Sequence, residues 1–201
     1  MESDKKVAII VLNWNNADDT IECLESLKKI DDPNHEIILV DNGSTDNSVA
    51  KIRERFPNIT IIENKTNLGF AEGNNIGMKY ALQHGAHYLF LLNNDTIVDK
   101  NILKVFREYM DNHPEVGVAG AKIYYYDNRK VIWHAGAEFV PSKAFYCHLG
   151  INDIDRPEYN KVRECSYVTG CAFFIRGSII SKIGYLDKRL FLYTEDADFC
   201  L

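Results

Sequence analysis

The stretch KVAIIVL, residues 6–12, decides the fold because every side chain after the lysine is apolar and most are β-branched. A strand with one solvated face alternates apolar and polar residues, whereas a continuous apolar run is typical of a strand buried on both faces of a sheet. The six apolar residues are too few for a signal-peptide core or a membrane span. The stretch therefore predicts a buried first strand.

Similar apolar runs recur along the first 120 residues, and segments with apolar side chains at helical spacing separate them. The predicted strands are 6–12, 36–40, 59–62, 87–92 and, more weakly, 116–123. The predicted helices are 17–30, 45–56, 71–83 and 99–110, with Ser44 or Thr45 as the cap of the second. Strands that alternate with helices indicate an α/β fold with a mostly parallel central sheet flanked by helices.

The second part of the chain, from about residue 122, has a different pattern. Its aromatic segments alternate irregularly and predict a smaller antiparallel portion. The stretch 165–184 reads as a strand followed by a short helix from about Ser178, and 191–201 ends in an acidic helix start.

The composition of the chain limits which partners and which cellular setting are expected. The 201 residues carry 23 basic and 29 acidic side chains, a net charge of −6, with no long run of Lys or Arg. Nucleic acid as a partner is therefore excluded, because phosphate backbones select basic surfaces. The five cysteines are scattered and form no CxxC pair, which favours a reducing, cytoplasmic setting over a disulfide framework or a zinc site.

Polar clusters follow four of the predicted strands. They read NWNN (13–16), DNGSTD (41–46), ENKTNLGFAEGNN (63–75) and NNDT (93–96). Each alone could be an ordinary turn. Right-handed crossovers, however, place the carboxyl ends of parallel strands at one edge of the sheet, where open α/β sheets bind ligands. The four clusters together predict a ligand site at that edge.

The loop acids suggest what is bound. Asp41 ends a strand, where its carboxylate can accept hydrogen bonds from a base N–H or from ribose hydroxyls, whereas Asp46 is better explained by the dipole of the helix that follows. Asp95 can supply a carboxylate to a divalent cation such as Mg²⁺ or Mn²⁺, with Asn93 and Asn94 around sugar hydroxyls.

The segment NLGFAEGNNIG has glycines four residues apart, at Gly69, Gly73 and Gly77. This spacing is not a dinucleotide fingerprint, and it predicts instead a helix packed closely on its neighbour. Asn67 and Asn74 are predicted to be polar contacts near the ligand.

The acidic stretch YTEDADF places Glu195, Asp196 and Asp198 within four residues. Acids at a helix start could simply complement the helix dipole. One of them could instead be a general base, if it faces the same cleft as Asp95.

In order along the chain, the motifs VLNWNN, VDNGSTD, NLGFAEGNNIG, LLNNDT, VTGCAFFIR and FLYTEDADFCL resemble the inverting family 2 glycosyltransferases. The likeness covers essentially the whole chain and is strongest to the bacterial rhamnosyltransferase-like branch. It implies the Rossmann-like GT-A fold, a divalent metal, and transfer of a sugar from a nucleotide diphosphate to a glycan or lipid-linked acceptor hydroxyl. It also implies cell-surface polysaccharide synthesis and at most peripheral association with the inner face of the membrane.

The resemblance also implies roles for individual residues. Asp196 resembles the catalytic base and Glu195 a substrate-orienting acid, while Asp95 resembles the metal ligand. The implied nucleotide-sugar contacts are Leu12, Asn13, Trp14, Asp41, Asn67, Asn74, Asn93, Asn94, Gly170 and Cys171. For His134 a ligand-facing role and a buried structural role are both open.

Two departures from the family pattern qualify these expectations. The first asparagine of NND (93–95) replaces a common acid, so the metal would depend more on the donor phosphates. The chain also stops at Leu201, where the family continues, which predicts one domain truncated at its C-terminus: a nucleotide-sugar half, 1–120, and an acceptor half, 121–201.

Two other functions are compatible with parts of this sequence. A non-catalytic nucleotide-sugar-binding module fits the same motifs. A sugar nucleotidyltransferase fits less well, because NWNNADD (13–19) replaces the Gly-rich, cationic loop that those enzymes carry after the first strand. The donor suggested by the likeness is deoxythymidine-diphosphate rhamnose, followed by UDP sugars.

Overall fold

A computed structural model describes residues 5–143 and 145–201. The strands are β1 (Val7–Asn13), β2 (His35–Asp41), β3 (Thr60–Glu63), β4 (Tyr88–Asn93), β5 (Val118–Gly120), β6 (Ile123–Tyr124), β7 (Ile132–His134), β8 (Ala137–Val140), β9 (Phe145–His148) and β10 (Ala172–Arg176). The helices are α1 (Ala17–Leu27), α2 (Ser48–Arg55), α3 (Gly69–Gln83), α4 (Ile102–Asn112), α5 (Gly177–Ile183) and α6 (Glu195–Cys200).

A six-stranded sheet in the order β3-β2-β1-β4-β10-β5 forms the centre of the protein. Strands β1 to β4 are parallel, and β10 alone runs in the opposite direction. The register sets Asn13 at the end of β1 opposite Asp41 at the end of β2, and Leu12 opposite Asn93 of β4. Three of the predicted polar loops therefore begin side by side at one edge.

The apolar run of β1 serves two cores. Val7, Ile9 and Val11 pack with buried residues of α1, α2 and α4 on one face of the sheet. Ala8 and Ile10 pack with those of α3 and α5 on the other. All five side chains are completely buried, which confirms the prediction of a parallel sheet covered on both faces.

The second half adds two small antiparallel sheets, β6-β7 and β8-β9, as the aromatic segments predicted. Within the part of the chain that the structure describes, no helix has the length and apolar character needed to cross a membrane.

Two predicted elements are corrected. The fifth strand, 116–123, is divided: only Val118–Gly120 joins the main sheet, and Ile123–Tyr124 pairs with β7 instead. Helix α2 begins at Ser48 with Asn47 as its preceding residue, so Ser44 and Thr45 are not its caps. Ser44 is engaged in a tight turn, because both its backbone N–H and its hydroxyl donate to Asp41.

The glycine spacing in α3 does permit close packing. A Cβ at Gly73 would lie 2.6 Å from Cδ1 of Leu12, and one at Gly77 would lie 2.5 Å from Cγ2 of Ile10. Gly69 is different, since its φ is +81° and a Cβ would lie 2.4 Å from the carbonyl oxygen of Phe191. The glycines therefore let α3 lie directly on β1.

We predict that Gly77→Ala destabilises the protein by about 1–3 kcal/mol, because the new methyl group overpacks against Ile10 although alanine is the better helix former. Urea unfolding midpoints measure the effect. Gln83→Ala, at an exposed position of the same helix, is the control and should change stability by less than about 0.5 kcal/mol. Equal stability of Gly77→Ala and the wild type would contradict the packing described here.

Candidate functional site

The carboxylate of Asp41 is the centre of the polar edge. It is only 3% exposed. Asn13 Nδ2 donates to Asp41 Oδ1 at 2.7 Å, the hydroxyl of Ser44 donates to the same oxygen at 2.6 Å, and Ser44 N–H donates to Oδ2 at 2.9 Å. These bonds stabilise the buried carboxylate, as hydrogen bonds to a charged acceptor can.

The network continues to the loop after β4. Thr20 Oγ1 donates to Asn13 Oδ1 at 2.8 Å, and Asn94 Nδ2 donates to Thr20 Oγ1 at 2.8 Å. The loops after β1, β2 and β4 are thus joined through side chains. Sequence reasoning missed Thr20, although it lies among the apolar positions of α1, where a polar side chain needs a partner.

A second set of bonds holds the start of α3. Asn42 Nδ2 donates to Asn67 Oδ1 at 2.8 Å, and Gly69 N–H donates to the same oxygen at 2.9 Å. Asn74 is buried and donates to the carbonyl of Phe70 at 3.0 Å. These amides therefore organise the helix start, and contact of Asn67 and Asn74 with a ligand stays a prediction.

Asp196 is connected to the same edge from the other side. Gly170 N–H donates to Asp196 Oδ2 at 2.7 Å. The next residue, Cys171, accepts a backbone hydrogen bond from Asn93 at 3.0 Å. A two-residue segment therefore links the helix that carries Asp196 to the strand end that carries Asn94 and Asp95.

The backbone just before α6 is strained. Tyr193 and Thr194 both have φ near +71°, a region that non-glycine residues seldom occupy. Hydrogen bonds on both sides fix this turn: Phe70 N–H donates to Phe191 O at 2.7 Å, and Asp198 N–H donates to Thr194 O at 2.8 Å. Backbone strain of this kind tends to cluster at functional sites.

The three acids of α6 differ in environment. Glu195 is 4% exposed, and its Oε2 has no hydrogen-bond partner among the described residues. Burial, and then the negative charge of Asp196, raise the pKa of Glu195. Asp196 is partly exposed and Asp198 is exposed. Only Asp196 combines access to solvent with a fixed position at the edge.

Asp95 is exposed in the turn after β4. Its negative charge, after burial, helps to raise the pKa of the Cys171 thiol to about 12, so the two side chains are near one another. Among the described residues no group of three His, Cys, Asp or Glu side chains is arranged to hold a metal ion. The exposed carboxylate of Asp95 fits a cation that takes most of its ligands from a diphosphate and water.

The remaining predicted residues divide between the surface and the packed edge. Trp14 is 54% exposed beside the Asp41 network, which leaves its ring available for stacking. Leu12 packs against Gly73. Asn93 and Cys171 are held by the backbone bond between them.

His134 is a buried residue, 3% exposed. Burial, followed by the charge of His148, lowers its pKa to about 4. This burial favours a structural role for His134 over a ligand-facing one.

Comparison with known proteins gives the class of this chain. The family model described as "Glycosyl transferase family 2" matches residues 8–184. In structure, the chain is similar to the mannosyltransferase PcManGT from Pyrobaculum calidifontis in complex with GDP-Man and Mn²⁺. The TM-score is 0.66 at 17% identity, over 96% of this chain and 50% of that one. The fold is GT-A, and the chain belongs to glycosyltransferase family 2.

Two curated relatives are similar in sequence. The low-salt glycan biosynthesis hexosyltransferase Agl10 of Haloferax volcanii is 23% identical over 96% of this chain and 60% of its own length. The dTDP-rhamnosyl transferase RfbF of Shigella flexneri is 23% identical over 87% of this chain and 56% of its own length. The chain thus spans little more than half the length of these relatives.

We predict that acid destabilises the wild type more than His134→Phe. The unfolded histidine titrates near 6.5 and the folded one near 4, so the unfolded state binds more protons between these values and stability falls as pH drops from 6.5 toward 4. Between pH 7 and pH 5 the wild type should lose about 2 kcal/mol more than the variant. Urea unfolding at both pH values measures the difference.

The exposed His87 supplies the control for this experiment. His87→Phe should keep the pH dependence of the wild type. If His134→Phe kept it too, the buried, neutral state assigned to His134 would be wrong.

Proposed function

We propose that this protein transfers a sugar from a nucleotide-diphosphate donor to an acceptor hydroxyl, with inversion at the anomeric carbon. The observation that supports this most is the continuous set of hydrogen bonds at one sheet edge. It runs from Asp41 through Asn13, Thr20 and Asn94 to the strand end next to Asp95, and a backbone bond there leads on to the segment that holds Asp196.

The proposed donor site is the part of this edge around Asp41. Trp14 would stack on the base, Asp41 would accept bonds from the nucleoside, and Asn94 would approach the ribose. The resemblance to the rhamnosyltransferase-like branch and the name of RfbF favour dTDP-rhamnose as the donor. UDP sugars are the next donors to test. The acceptor is proposed to be a glycan or a lipid-linked sugar, used in polysaccharide synthesis on the cytoplasmic side of a membrane.

Asp95 is the residue proposed to hold a divalent cation, and the solved relative that contains Mn²⁺ together with a nucleotide sugar supports this. When bound, the cation would neutralise charge on the leaving diphosphate. Because no group of three ligating side chains surrounds Asp95 among the described residues, the donor phosphates are proposed to complete the binding site.

The proposed chemistry is a single in-line displacement. Asp196 accepts the proton of the acceptor hydroxyl. The oxygen of that hydroxyl attacks the anomeric carbon, and the nucleoside diphosphate leaves. Gly170 N–H donates to Asp196 Oδ2 and Ala197 N–H donates to Oδ1, so both carboxylate oxygens are held in position, and the lone pairs left on them are available for the proton. Glu195, buried beside Asp196 with its pKa raised first by burial, is the acid proposed to help orient substrate. In this proposal residues 1–120 hold the donor and 121–201 the acceptor.

We predict that Asp196→Asn lowers kcat by about 10²–10⁴-fold and leaves donor binding intact, because the amide cannot accept the proton. Asp95→Ala should instead abolish the part of nucleotide binding that depends on Mn²⁺. Release of nucleoside diphosphate from dTDP-rhamnose and UDP-glucose measures turnover. Thermal shift with each nucleotide sugar, with and without Mn²⁺, measures binding.

Asp198→Asn is the matched control, since it removes the same charge from an exposed position of the same helix, and it should keep wild-type turnover. Wild-type turnover by Asp196→Asn would contradict the assignment of Asp196 as the base. A wild-type protein that binds a nucleotide sugar and never turns it over would support a non-catalytic binding module instead.

A further inference from the structure

One face of the β8-β9 sheet carries aromatic side chains that have a polar group. Ala137 of β8 pairs with His148 of β9, and Phe139 pairs with Tyr146. An isolated bridge pairs Ala137 with Tyr167 as well. Residues directly opposite one another, and residues two apart, project on the same face of a sheet. His148, Tyr146 and Tyr167 therefore share a face.

This face lies against the helix that carries the proposed base. Ala137 and Tyr167 form a small core with Ala197 of α6, and Tyr146 packs on it. Ala197 follows Asp196 directly in the chain. Tyr167 is three residues before Gly170, which donates to Asp196 Oδ2 at 2.7 Å. Asp196 is thus at the border of the face.

Electrostatics agrees with this placement. Burial and then the negative charge of Asp196 raise the pKa of Tyr167 to about 12. The same two causes, in the same order, raise the pKa of Tyr146. Both phenols therefore remain protonated at neutral pH and can donate hydrogen bonds.

His148 is exposed and contacts two neighbouring rings. Its Nε2 shares a hydrogen bond with the hydroxyl of Tyr167 at 3.5 Å. Its ring centroid is 5.9 Å from that of Tyr167 and 5.7 Å from that of His134, both in edge-to-face geometry. No partner for Nδ1 is found within residues 5–143 and 145–201. The imidazole of His148 therefore lies on the same face as Tyr146 and Tyr167, the two side chains whose pKa values respond to Asp196.

We propose that His148 contacts the acceptor sugar through its imidazole Nδ1, and that Tyr167 positions it. This inference rests on the proposed function. A sugar ring offers hydroxyls for the imidazole and apolar C–H faces for aromatic side chains, and binding sites commonly combine an aromatic wall with a few placed polar groups. Tyr146, partly exposed on the same face, is the wall. His148 then selects which acceptor hydroxyl approaches Asp196.

Two variants test the proposal. His148→Phe keeps a ring in the packing and removes both nitrogens, and Tyr167→Phe removes only the hydroxyl that holds His148. The partly exposed His113 is the matched control, because it too contacts a tyrosine ring, that of Tyr109, with 4.3 Å between centroids. His113→Phe should behave as the wild type does.

The probes are dTDP-rhamnose and UDP-glucose as donors, with the methyl glycosides of glucose, galactose, rhamnose and N-acetylglucosamine as acceptors. With the donor and acceptor between which the wild type transfers sugar, His148→Phe should raise the acceptor KM about tenfold, the effect of one lost hydrogen bond. The donor KM should stay within about twofold. Tyr167→Phe should raise the acceptor KM by a smaller factor, since the imidazole is kept and only its anchor is lost.

The outcomes separate this inference from the function on which it rests. If the wild type neither binds nor cleaves a donor, the proposed function fails and the inference with it. If the wild type cleaves a donor but transfers to none of the four glycosides, or if His148→Phe leaves the acceptor KM unchanged, the inference alone is overturned. A parallel rise of donor and acceptor KM would also overturn it, because that result indicates general distortion.

Discussion

The buried carboxylate of Asp41 is the constraint on which the polar edge depends. Its charge is tolerated because Asn13 and Ser44 donate to it, and Asn13 can do so only in the register that sets it opposite Asp41. A slip of one residue between β1 and β2 would turn the side chains of a strand to the opposite face. The two cores that share β1 oppose such a slip, since the run alternates between them. Core packing thus determines where the polar side chains meet.

Most of the parallel sheet could be predicted from the sequence, because strands buried on both faces are continuous apolar runs such as residues 6–12. The insertion of β10 between β4 and β5 could not be. Strand β4 ends at Asn93 and β10 begins only at Ala172, and a local sequence pattern carries no information on which distant strand a segment pairs with. The division of 116–123 has the same origin, because pairing with β7 decides where Ile123 goes.

The candidate site was predictable as a set of loops and less so as contacts. Asp41, Asp95 and Asp196 stand out as acids at strand ends or at a helix start. Thr20 does not, since its importance arises only when α1 brings its hydroxyl between Asn13 and Asn94. The difference between Glu195 and Asp196 also needed the structure, because neighbouring acids in a sequence do not reveal which one is buried.

The central claim is that the acids of three separate loops serve one ligand. The most direct test is a crystal structure with Mn²⁺ and either dTDP-rhamnose or UDP-glucose bound. The account predicts the nucleoside against Asp41, the diphosphate and metal at Asp95, and the anomeric carbon turned toward Asp196. A donor bound elsewhere on the protein, or one that touches Asp41 while Asp196 faces another surface, would contradict it.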